Sequence, residues 1–169
     1  MALFRRRKLP TEQRPKLEGD ERIVAWAPTG QDVVVLTTYG IWLPGAQERL
    51  GWHEVHKATW SGRQLGLVPA GEVGAGEGYV IVADRPAVVH TLLEPDQVPA
   101  QVHARVTKSI AYTQHHPLPG GGGVRVVARR VPGVNGLRWT VRYDEGVDPG
   151  GPEIATLTAE LVEYGRSSL

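Results

Sequence analysis

The cleanest pattern in the chain lies near its C-terminus. Leu137, Trp139, Val141 and Tyr143 alternate with Arg138, Thr140, Arg142 and Asp144. A period of two puts the first set on one face of a strand and the second on the other. Val124–Val131 is the expected partner strand, across Pro132-Gly133-Val134-Asn135-Gly136. Pairing Val126 with Tyr143 and Ala128 with Val141 keeps one face apolar. That register sets Arg125 beside Asp144 and Arg129 beside Thr140 on the polar face.

Upstream, short apolar runs are separated by turn residues. Ile23–Ala27 predicts a strand, Pro28-Thr29-Gly30-Gln31 a tight turn, and Asp32–Leu43 a second strand, bent or bulged at Gly40. Arg49–Trp60 predicts a third strand, broken near Gly51, with Trp52, Val55 and Trp60 as buried anchors. Gln64–Val68, Tyr79–Ala83 and Ala87–Leu93 predict further strands, and residues 70–78 (AGEVGAGEG) a flexible loop. The period then changes. Val102, Val106 and Ile110 recur every four residues, which predicts a helix from Pro99 to Gln114, ended by His115-His116-Pro117. A last helix is expected over Pro152–Tyr164, with Ile154, Leu157 and Leu161 as its stripe and Gly165 as its stop. Residues 1–20 are polar, basic and interrupted by Pro10 and Pro15, and read as a disordered or loosely attached tail.

These elements predict a β-rich α+β fold. Residues 21–117 would form a partly open antiparallel barrel with a capping helix, and 118–169 a ββα extension packed on the same core. Runs of strands without crossover helices argue against a parallel α/β fold.

Composition changes this picture little. At 169 residues the chain suits one domain with an appendage. No cysteine is present, which removes disulfides and thiolate chemistry. Arg outnumbers Lys by 15 to 4, a bias common in GC-rich genomes, so not every Arg is functional. The net charge is +1, but residues 1–20 hold six cations against three carboxylates. The remainder therefore carries about −2, which argues against general polyanion binding and specific nucleic-acid recognition. No apolar run nears the roughly 20 residues of a membrane span. Cytoplasmic placement is expected, at most peripheral to the inner membrane.

Two local patterns carry a resemblance. One is the strand entering Thr37-Thr38-Tyr39-Gly40-Ile41-Trp42-Leu43. The other is Trp52-His53-Glu54-Val55 followed by Ala58-Thr59-Trp60. With the meander-then-helix order of residues 23–114, they resemble a bacterial pleckstrin-homology-like domain. The whole chain also resembles small actinobacterial proteins, a likeness that implies no particular activity. Phosphoinositide binders of the first family place cations around the first strand-to-strand loop. Here that loop is Pro28-Thr29-Gly30-Gln31-Asp32, so inositol-phosphate binding is not implied.

Candidate chemistry is sparse. His53-Glu54-Val55-His56 invites a metal reading, but residues three apart on a regular strand face opposite sides. Gly120–Gly123 lacks the Lys-Ser/Thr of a phosphate loop and precedes a strand. No Gly-x-Ser-x-Gly elbow is present. Two basic features remain: Arg5, Arg6, Arg7 and Lys8 as a candidate anionic-surface site, and Arg125, Arg129, Arg138 and Arg142 as a candidate anion patch. The expected function is a non-enzymatic interaction or scaffold module without metal or organic cofactor, acting on a protein partner. The alternatives are attachment to an anionic membrane surface through the basic tail, and a small-molecule-binding protein or enzyme.

Overall fold

The computed structural model describes residues 8–169. It is α+β and strand-rich, with a curled half-barrel sheet and two helices. Strand β1 (Ile23–Pro28) pairs antiparallel with β2 (Val33–Thr37), and β3 (Gly40–Trp42) and β4 (Leu50–Gly51) complete a four-stranded sheet. The predicted second strand is thus interrupted at Thr38-Tyr39. The cause is Thr37, whose Oγ1 accepts the N–H groups of Tyr39 (3.1 Å) and Gly40 (3.2 Å) and closes a local turn.

The larger sheet starts from β5 (Val55–Ser61), preceded by a single 3-10 turn at Trp52–Glu54. Next come β6 (Gln64–Gly76), β7 (Tyr79–Asp84) and β8 (Val88–Thr91). Helix α1 (Val98–Ser109) leads directly into β9 (Ile110–Pro117), then β10 (Gly123–Arg130), β11 (Leu137–Tyr143) and helix α2 (Pro152–Ser167). The strand order is β5-β6-β7-β11-β10-β9, with β8 also on β6. The first half of β6 pairs with β5 and β8, and its second half with β7. Strands β7 and β11 run parallel, with Thr140 opposite Val80 and Val141 opposite Ile81.

Several expectations change here. Residues 70–76 belong to a strand rather than a loop. Their glycines serve close approach: the Arg85 guanidinium lies across Gly71 and the Tyr79 ring across Gly76, where a Cβ would overlap them. Helix α1 stops at Ser109, and the residues expected to continue it pair with β10 from Ile110 to Pro117. Ile110, Tyr112 and Thr113 fit a half-buried strand surface, and ladder pairing outweighs the fourfold spacing of Val102, Val106 and Ile110. Helix α2 passes through Gly165 instead of stopping there, because that glycine seats the helix on Trp139 and Tyr112. Trp52 is buried as expected, but Trp60 lies at the exposed end of β5, 39% accessible.

The hairpin forms, with its register moved by two residues. Val126 faces Val141 and Ala128 faces Trp139, so Arg125 stands opposite Arg142 and Arg129 opposite Arg138. A shift of two keeps each residue on its predicted face.

Apolar side chains gather in separate clusters. The first joins Val34, Leu36, Ile41, Trp52, Leu65, Leu67 and the buried face of α1. The second joins Tyr79, Val124, Val126, Trp139, Val141 and Val162 of α2. A third covers the other face of β2: Leu9 packs on Val33 and Val35, beside Trp26 and Trp42. The segment before β1 is therefore anchored at Leu9.

Candidate functional site: an arginine-lined cleft

The two faces of the β10–β11 hairpin have different fates. One packs on α2. The other, carrying Val127, Arg129, Arg138, Thr140 and Arg142, forms a wall of a cleft of about 550 Å³. The facing walls come from β6 and β7, from the 3-10 turn, and from the β3–β4 arm. Three members of the predicted arginine patch thus reach one cleft. Arg125 is not among its lining residues, and its Nη1 donates to Thr113 Oγ1 (3.3 Å). Arg49 and Arg85 join the cleft from elsewhere in the sequence.

Like charges directly across a sheet destabilise it. Local partners offset part of that cost. Arg142 pairs with Asp84 at the end of β7. Arg138 lies 3.7 Å from Glu72 on β6. Arg49 donates to the buried Glu21 carboxylate at 2.8 Å and lies over the rings of Tyr39 and Trp42. Burial raises the Glu21 pKa, but hydrogen bonds from Thr37, the Glu18 N–H and Trp42, with the Arg49 charge, hold it below the ordinary value.

Arg129 differs from these. It is 7% exposed and donates to Ser109 Oγ (2.7 Å) and to the Val55 carbonyl (3.1 Å). Both acceptors are neutral. Among the described residues no carboxylate pairs with it. Burial and the Arg142 charge lower its pKa. Arg85, just after β7, also makes no ion pair among the described residues.

His53 and His56 both line the cleft, contrary to the diverging geometry of a regular strand. The 3-10 turn carries His53, and a register shift between Val55 and Lys57 re-aims β5. Burial, then Arg138, Arg129 and Arg49, lowers the His53 pKa to about 4. Burial and Arg142 lower that of His56, with Asp84 opposing. Burial is the larger cause for both imidazoles, and the arginine charges add to it. His115 and His116, expected at a helix end, lie on β9, where His115 Nε2 is 3.0 Å from Asp144. Among the described residues, no group of three or more His, Asp or Glu side chains is arranged to hold a metal ion.

Arg5, Arg6 and Arg7 lie outside the described residues, and Lys8 is exposed. No helix among the described residues is long and apolar enough to cross a membrane.

The cleft was only partly visible in the sequence. The alternation of β10 and β11 marked Arg129, Arg138 and Arg142. Nothing local marked Arg49 or Arg85, which long-range pairing brings in, and His53 was marked only as half of a diverging histidine pair.

No protein-family model, curated protein or solved structure matches this chain.

Proposed function

We propose that this protein is a non-catalytic binding module whose ligand is an anion seated in the arginine-lined cleft. Arg129 carries the reading. A buried guanidinium bonded only to neutral oxygens is a costly arrangement, because removing a charge from water needs a compensating partner. An anion in the cleft supplies that counter-charge, and guanidinium groups suit carboxylate and phosphate geometry. Arg85 adds a second cation without an ion pair among the described residues. We also read residues 21–117 as pleckstrin-homology-like. What supports this is the antiparallel meander followed by α1.

The test is melting temperature in sodium acetate and sodium phosphate against sodium chloride at equal ionic strength. A ligand that binds only the folded state stabilises by mass action, about 2.7 kcal/mol at a hundred times its Kd. Wild type should gain stability, and Arg85→Gln should lose much of that gain while keeping its melting temperature in chloride. Arg129→Gln should lose it entirely. Equal gains in wild type and both variants would reflect general salt effects and would sink the proposal.

A further inference from the structure

The cleft is not uniformly polar. Arg129, Arg138 and Arg142 stand on β10 and β11. Leu43 and Leu50 of the β3–β4 arm and Val88 of β8 also line it, at the edge of the first apolar cluster. All three are partly exposed, although each packs on that cluster. Glu48, on the arm that carries Leu43 and Leu50, and Glu54 of the 3-10 turn also line the cleft.

Resting on the anion-binding reading above, we infer that the cleft takes a small amphipathic acid: an organic molecule with one carboxylate or phosphate head and an apolar body. The head lies toward Arg129 and the β10–β11 wall. The body covers Leu43, Leu50 and Val88, removing their exposed surface from water. Glu48 and Glu54 act against a second anionic group, because juxtaposed like charges are costly in a partly desolvated site and the neighbouring Arg49 is already paired with Glu21. The volume of about 550 Å³ lies within the range of pockets that enclose small organic molecules.

The test is isothermal titration of the full chain with acetate, butyrate, hexanoate, adipate, butyl phosphate and inorganic phosphate. Each methylene that becomes fully buried strengthens binding about fourfold. Hexanoate should therefore bind at least about tenfold tighter than acetate, and butyl phosphate tighter than inorganic phosphate. Adipate, as long as hexanoate but acidic at both ends, should bind at least about tenfold more weakly than hexanoate. Val88→Thr should reduce the gain from chain length, read as a smaller ratio of hexanoate to acetate affinity. Leu43→Asn should do the same, and its melting curve tells a lost surface from a lost fold.

Anions that bind with no dependence on chain length would overturn the amphipathic ligand and leave the anion site standing. Adipate equal to hexanoate would do likewise. If no anion binds, or hexanoate binds Arg85→Gln and Arg129→Gln as well as wild type, the underlying anion site fails too. A preference for carboxylates over phosphates of equal chain length, or the reverse, assigns the head group within the inferred class.

Discussion

At the scale of single residues, burial decides which tryptophan matters. Trp52 is 2% exposed, and its Nε1 donates to the Thr37 carbonyl at 3.0 Å. Trp52→Ala should cost about 3–5 kcal/mol, from lost burial and the cavity left behind. Trp60→Ala should cost under about 1 kcal/mol, because much of that ring already meets water. Denaturant melts of the two variants check the contrast, and similar losses would contradict the facing of β5.

His53 gives a pH signature. Its pKa falls from the ordinary 6.5 to about 4 on folding. Between those values the unfolded chain holds a proton that the folded chain does not, so stability drops as pH falls through this window. The loss from this one group is about 3 kcal/mol, at roughly 1.4 kcal/mol per pH unit. It is complete near pH 4 and absent above about pH 7. His53→Gln should flatten the slope of stability against pH across that window. His56 and His90 are shifted the same way and leave a residual slope.

At the scale of elements, what the sequence revealed followed from short-range pattern. The alternation of Leu137–Tyr143 set both faces of β11, and Pro152 and the Ile154/Leu157/Leu161 stripe placed α2. Register was out of reach because a shift of two leaves the apolar face unchanged. The observed register exposes four arginines to one another in two facing pairs, which simple charge pairing argues against. Only the carboxylates of Glu72 and Asp84, delivered by β6 and β7, explain how that is tolerated. Ile110 and Gly165 misled for a related reason. Each fits a local rule, and each is overruled by a contact distant in sequence: β10 for the first, Trp139 and Tyr112 for the second.

Gly165 gives the test at this scale. Helix propensity alone favours Gly165→Ala by about 1 kcal/mol. A Cβ there would lie 2.8 Å from Trp139 Cζ3 and 3.0 Å from Tyr112 Cε1. Both rings are packed between α2 and the sheet, so the helix must lift or the rings must turn. Overpacking of this kind costs about 1–3 kcal/mol. The net expectation is a lower melting temperature for Gly165→Ala and a larger loss for Gly165→Val. A stabilised Gly165→Ala would show that α2 is loosely seated.

At the scale of the whole molecule, the question is whether the two main apolar clusters are one cooperative unit. The first is built from β1 to β6 with α1, and the second from β7, β9 to β11 and α2. The direct β7–β11 seam is short, with two aligned residue pairs. Other links cross it. Strand β6 pairs with β5 and β8 in its first half and with β7 in its second. Helix α1 runs straight into β9 at Ile110. Arg129 on β10 reaches Ser109 at the end of α1 and the Val55 carbonyl on β5. These links tie each cluster to backbone that the other must order, so opening one exposes hydrogen bonds of the other. Native-state hydrogen exchange should therefore give similar opening free energies for the amides of β2 and β10. Arg129→Met tests the seam directly. It removes both side-chain bonds and the buried charge, and it should bring the β10 amides into exchange by a lower-energy opening than those of β2. Equal protection of β2 and β10 in that variant would show that strand pairing alone couples the halves. Unequal protection already in wild type would show that they open separately, with the cleft at the boundary between them.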